Sequence, residues 1–139
     1  MPEEKGLPQR GPLPRPKNLE QARDLLKQDA FPAPDVQRVV MHAEEFTAIC
    51  PKSGQPDFGQ VVIDYAPQSL CLESKALKVY LWAYRDEGAF CETLAARIAD
   101  DLVYAIDPAR VRVEVRQNVR GGISIVATAE RGTASVPSR

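Results

Sequence analysis

A change of period between residues 90 and 127 constrains the fold more than any other feature of the chain. Phe90, Leu94, Ile98 and Leu102 recur every fourth position, a stripe that only a helix gathers onto one side. Pro108 stops that helix at Asp107, because a residue before proline is pushed out of the helical region. Immediately afterwards Val111, Val113 and Val115 alternate with Arg110, Arg112, Glu114 and Arg116, the pattern of a half-buried strand. Gly121-Gly122 then turns the chain into Ile123 to Ala127, a last strand.

The earlier part of the chain supplies the partners of this unit. Asn18 is placed to cap a short helix from Leu19 to about Gln28, with Gln21 at the reciprocal capping position and Leu19, Ala22, Leu25 and Leu26 as its apolar stripe. Phe31-Pro32-Ala33-Pro34 ends it. Val36 to Phe46 alternates, with Val39, Met41 and Ala43 on one side, and Phe58 to Tyr65 puts Val61, Ile63 and Tyr65 on one face. Leu77, Leu81 and Tyr84 mark a helical face after Ser74. The order strand, strand, helix, helix, strand, strand predicts an α+β fold: a four-stranded antiparallel sheet with two helices on one face. Such a single layer leaves one helix face and two sheet edges to cover, which a closed ring of subunits would do.

The chain has 139 residues, the size of one domain. Residues 1–17 hold five of the twelve prolines and read as a disordered or draped tail, residues 18–130 as the single domain, and residues 131–139 as a frayed tail. Eighteen basic against nineteen acidic residues, with no polybasic tract, argue against direct binding of nucleic acid. Three cysteines without CxxC spacing point to a reducing compartment, and a single histidine, His42, leaves a zinc site little to build on. No apolar run has the length of a membrane span and the N-terminus lacks a leader's apolar segment, so the chain reads as cytoplasmic.

Two motifs carry candidate chemistry. In Phe46-Thr47-Ala48-Ile49-Cys50-Pro51-Lys52-Ser53-Gly54-Gln55-Pro56-Asp57-Phe58, one thiol ends an apolar segment and enters a loop stiffened by two prolines. Nearby positive charge and loop amides would favour the thiolate of Cys50, and Asp57 stands where a proton donor for its target would be needed. A small buried cysteine and a turn-capping aspartate would look the same. In Glu73-Ser74-Lys75-Ala76-Leu77-Lys78-Val79-Tyr80, two lysines at the start of a helix oppose the helix dipole. Together with free first-turn amides they would cradle a phosphate; the alternative is a solvated face. Arg120-Gly121 would add a phosphate contact, or is simply a turn. Glu92, one place after Cys91, would hold an amidine-like edge such as that of guanine, or merely complement the helix dipole. Cys71, between Leu70 and Leu72, reads as core.

Taken together, these motifs resemble the NADPH-dependent 7-cyano-7-deazaguanine reductases, the QueF family, in its short single-module form. The resemblance spans about Val39 to Ala127 and rests on the two motifs above, on Gly88-x-Phe90 and on Arg120 to Ile125. It implies a tunnelling fold whose subunits form stacked barrel-like rings with active sites at subunit boundaries. It implies that Cys50 attacks the nitrile carbon to give a thioimide and that Asp57 donates a proton. Leu72, Glu73, Ser74, Cys91 and Glu92 would bind the substrate, and Lys75, Lys78, Arg120 and Gly121 the NADPH. The product would be the 7-aminomethyl precursor of queuosine in tRNA. One departure stands out: the family usually has His where this chain has Cys91. The rival readings are a related amidine-forming transferase on the same fold, which lacks the lysine motif; a zinc-dependent GTP cyclohydrolase of similar fold, against which the single histidine and the lack of ligand spacing speak; and a degenerate non-catalytic subunit.

Overall fold

The computed structural model describes residues 14–132. The elements run α1 (Leu19–Asp29), β1 (Phe31–Pro32), β2 (Val39–Ile49), β3 (Pro56–Ala66), β4 (Leu70–Cys71), α2 (Ser74–Trp82), α3 (Cys91–Ile106), β5 (Arg110–Arg120) and β6 (Ile123–Gly132). The four long strands form one antiparallel sheet in the order β2-β3-β5-β6, and β1 pairs with β4 in a two-stranded ribbon. That ribbon was absent from the sequence reading; two residues per strand leave no periodicity to detect.

The core lies between the sheet and its helices. Val61, Ile63 and Tyr65 of β3 and Val111, Val113 and Val115 of β5 are 2% exposed or less and face Leu94, Ile98 and Leu102 of α3. Burying each such aliphatic side chain contributes about 1.5–3 kcal/mol. Phe90 departs from the expected stripe: it is the residue before α3, extended at φ −71°, ψ 152°, and half exposed. At the other end Asp107 closes the helix in the left-handed region, φ 43°, and its amide donates to Val103.

Strand β2 changes phase along its length. Met41 and Ala43 share one face, but after a register shift between Ala43 and Phe46 the buried residues are Phe46 and Ala48. An extra residue in one strand turns every later side chain to the other face. Glu44 and Glu45 absorb the slip and remain exposed.

Two helices cover the sheet face, as expected, and a third covers them: α1 packs on α2 and α3 through the buried Ala22 and Leu26. The helix face expected to need a neighbouring subunit is therefore closed within the chain. Asn18 caps α1, its Oδ1 accepting from the Gln21 amide at 2.7 Å, while Gln21 reaches back to the Lys17 amide, one residue earlier than a standard capping box. Just ahead of α1, Pro16 is buried, and Arg15 pairs with Asp86 and lies over the Trp82 ring. The expected C-terminal tail begins too early, since β6 continues through Arg131 and Gly132, which pair with Val111 and Arg110. The rest of the two expected tails lies outside the described residues.

A polar cluster joins α2 to α3 inside the core. The Tyr80 hydroxyl donates to Asp101 at 2.6 Å and lies 2.7 Å from the Tyr84 hydroxyl. Burial pushes Asp101 above the usual carboxylate range and both phenols above theirs. On the sheet, Asp64 takes two hydrogen bonds from Arg38, at 3.0 and 2.6 Å, and one from the buried Arg110 at 3.2 Å. No helix is long and apolar enough to cross a membrane among the described residues.

Candidate functional site

The hairpin joining β2 to β3 carries Cys50 and Asp57 on its two arms. Ile49 pairs with Pro56 and Ala48 with Asp57, so the thiol stands at the mouth of the hairpin and the acid one step inside it. Backbone bonds shape the loop: the Cys50 amide donates to Gln55 and the Gly54 amide to Cys50, with Gly54 at φ 71°. A second clamp comes from the segment between α2 and α3. The Ile49 amide donates to Glu87, and Ile49 accepts from the Ala89 amide, which fixes the end of β2 against residues 87–89.

Cys50 is half-buried and its thiol is lowered from 9.0 to about 7. The Ser53 side chain contributes most, then the backbone amides of Ser53 and Lys52; partial burial opposes them and Arg120 adds a smaller pull. Most of the lowering comes from donors in the loop itself. Ser53 was not among the residues singled out from the sequence, although a Ser three places after a thiol in a tight loop is well placed to donate to it.

Asp57 is 5% exposed. It lies inside β3 rather than capping a turn. The Gln117 side chain donates to its Oδ2 at 2.8 Å, and the Arg120 guanidinium stands 2.5 Å from its Oδ1 as a charge contact without an aligned hydrogen bond. Arg120 reaches both Asp57 and Cys50, whereas the sequence pointed it only toward a phosphate. Gln117 was missed altogether; its partner is sixty residues away in sequence, beyond any local pattern.

Cys91 closes the inner wall. It is the first residue of α3, 2% exposed, with Sγ donating to the Val115 carbonyl at 3.4 Å. Burial raises its thiol, with Glu92 and Asp57 adding smaller repulsions, so the helix N-terminus does not activate it. A shallow pocket lined by Phe46, Asp57, Phe58, Cys91, Arg116 and Gln117 opens here. Glu92 follows on the exposed side of the first turn. Cys50, Asp57, Cys91, Glu92, Arg120 and Gly121 thus gather at one end of the sheet.

The second motif lies at the other end. The Leu72 amide donates to the Tyr65 hydroxyl at 2.9 Å, which ties the start of α2 to the far end of β3. From Asp57 to Tyr65 the strand spans about 26 Å at roughly 3.3 Å per residue. Leu72 is 3% exposed, so its side chain belongs to the core and only its backbone is left to line a site. Glu73 is the N-cap of α2, its carboxylate accepting from the Lys75 amide at 2.5 Å and the Ala76 amide at 3.1 Å. That corrects the expected phosphate cradle: a built-in carboxylate already occupies these first-turn amides. The side chains of Ser74, Lys75 and Lys78 are exposed.

His42 is exposed on β2, with Glu44 3.8 Å away. Cys71 is 3% exposed in β4, as its apolar neighbours suggested, and all three cysteines are free. Among the described residues no group of three or more His, Cys, Asp or Glu side chains is placed to hold a metal ion.

Sheet, helix layer and order of elements define a tunnelling-fold protein. The crystal structure of the archaeosine synthase QueF-Like in the apo form shares this fold, with a TM-score of 0.68 at 24% identity over 73% of this chain and 100% of that one. Residues 56–135 match the family model described as QueF-like protein. The NADPH-dependent 7-cyano-7-deazaguanine reductase of Nitrosomonas europaea is 50% identical over 93 residues, 67% of each chain. Its namesake from Nitrosospira multiformis is 43% identical over 116 residues, 79% of this chain and 84% of that one. That of Anaeromyxobacter sp. is 46% identical over 114 residues, 80% and 91%. The chain belongs to the QueF family.

Proposed function

We propose that this chain is an NADPH-dependent reductase that converts the nitrile of 7-cyano-7-deazaguanine to the aminomethyl group in the queuosine pathway. One observation carries the reading: a thiol lowered to about 7 and a buried carboxyl lie on the two arms of one hairpin, and Arg120 reaches both. The names and identities of the relatives supply the substrate and the cofactor.

Cys50 attacks the nitrile carbon as thiolate. A carbon–sulfur bond forms, one π pair of the C≡N bond moves to nitrogen, and Asp57 hands that nitrogen a proton, leaving a thioimide. Covalent attachment keeps the half-reduced species from escaping while the cofactor is exchanged; the carbon–sulfur bond then breaks, its electron pair returning to Cys50 as thiolate and leaving an imine for the second reduction. Glu92 accepts the ring N–H and exocyclic amine of the guanine-like edge, with Cys91 packing where a family member usually has His. An imidazole's proton handling is lost there, since the Cys91 thiol is buried and raised.

Leu72, Glu73 and Ser74 stand too far from Cys50 to touch the same small molecule in one subunit. A second copy supplies them, so the site is completed where two subunits meet in a ring. Two edge strands, β2 and β6, are available for that closure. Glu73 then reaches substrate only by leaving the amides of Lys75 and Ala76.

The residues suit an anionic dinucleotide. Lys75 and Lys78 present ammonium groups to solvent, and Arg120 precedes Gly121 and Gly122, at φ 57° and 81° with open space around both, where an anion can approach the backbone closely. Two NADPH molecules, bound one after the other, would each supply one of the two hydrides that the four-electron reduction requires. The chain contributes the covalent handle, the acid and the orientation.

Purified protein given both compounds should consume NADPH steadily, and Cys50→Ala should stop it. A transferase would form the Cys50 adduct yet oxidise no NADPH, and an inert subunit would do neither.

A further inference from the structure

Both oxygens of Asp57 are engaged. Gln117 donates to Oδ2, and the Arg120 guanidinium covers Oδ1, an oxygen that is fully buried and has no aligned hydrogen bond. A proton donor must turn one oxygen toward the reacting atom, and here neither is turned outward. The two partners differ in freedom. Gln117 is half-buried, whereas the Arg120 side chain is 46% exposed and ends β5. The β5–β6 ladder shifts register between Gln117 and Arg120, and two glycines at positive φ follow directly. Arg120 therefore hangs between a ladder irregularity and an open turn, with room to swing. Phosphate groups offer a guanidinium more charge and the same bidentate geometry as a carboxylate, so they compete for it well.

We propose that Arg120 is a latch on Asp57: it covers the carboxylate as seen here and is drawn off by the phosphate groups of the arriving dinucleotide, which uncovers the proton donor only when the reductant is in place. The latch rests on the functional reading above and goes beyond it by linking the cofactor contact to the acid. Arg120 acts through Asp57 and is a positioning residue.

Coupling of this kind is reciprocal, so it is readable from binding alone. The measurement is calorimetric titration of the whole protein with NADP⁺, the oxidised form, which cannot turn over. Asp57→Asn removes the competitor and should bind NADP⁺ several-fold more tightly than wild type. Arg120→Gln should bind it about tenfold more weakly. In the Arg120→Gln background, Asp57→Asn should change nothing, because the competition it relieves is gone. Unchanged or weaker binding by Asp57→Asn overturns the latch. So does an equal gain in both backgrounds, which would be plain charge repulsion. Should Arg120→Gln melt early, Arg120→Met, which keeps the apolar stem and lacks the cation, replaces it in the cycle, with the same expected loss of coupling. Wild-type protein that binds no NADP⁺ sinks the cofactor reading beneath; binding without coupling sinks the latch alone.

Discussion

Asp57 and Tyr65 occupy opposite ends of β3, and each anchors one half of the candidate site. Asp57 faces Gln117 and Arg120, while the Tyr65 hydroxyl accepts from the Leu72 amide at the corner before Glu73. A strand does not bend its ends together, so within one chain the halves stand apart, and the proposed reading joins them between copies.

Complementation tests that division. Cys50→Ala and Lys75→Ala should each abolish or sharply reduce turnover alone. Co-expressed, they should recover roughly a quarter of wild-type activity, because a random ring holds that share of boundaries with two intact halves. Recovery at or near zero, with mixed oligomers demonstrated by mass, would place both halves in one subunit.

Cys50 should titrate where its loop donors put it. Its alkylation by iodoacetamide should rise with pH about a midpoint near 7, because only the thiolate reacts. Ser53→Ala removes the largest stabilising donor and should move that midpoint upward, slowing alkylation at pH 7 and leaving it little changed at pH 9.5. Buried Cys91, raised by desolvation, should remain unlabelled in the native protein at pH 7.

The Asp64 pair governs acid stability. Arg38 and then Arg110 hold this carboxyl below 3.8 in the folded chain. A lowered folded value means stability that is present above the unfolded value and is lost as pH falls through the folded one. Asp64→Asn leaves Arg110, 4% exposed, without its charge partner and should cost about 3 kcal/mol at pH 7. The gap to wild type, followed by urea titration, should narrow below about pH 4.

Tyr80→Phe removes the hydroxyl that satisfies Asp101. The carboxyl then stays buried without that donor, at a cost of about 1–3 kcal/mol in thermal or urea unfolding. Loss of activity beyond what the folded fraction explains would show that the α2–α3 lock also sets the catalytic geometry.

Much of the fold was legible because it rests on local period. The alternation of Val111, Val113 and Val115 and the spacing of Leu94, Ile98 and Leu102 each name their element and its buried face. The phase change in β2 was not legible, since a bulge is set by the partner strand. The third helix layer was half legible: α1 could be read from Asn18 and its stripe, but its seat on α2 and α3 is a matter of tertiary packing. At the site, Cys50 and Asp57 were legible because one short loop holds both. Arg120 and Gln117 come to them across the sheet, and the capping role of Glu73 runs against the usual choice of short side chains at that position.

The central claim is a covalent bond between Cys50 and the nitrile carbon. Intact mass of the protein after incubation with 7-cyano-7-deazaguanine alone tests it most directly. The account predicts a gain of one substrate mass per chain, located on the Cys50 peptide and absent from Cys50→Ala. A folded wild-type protein that gains nothing, or a Cys50→Ala variant that gains the same adduct, would contradict it.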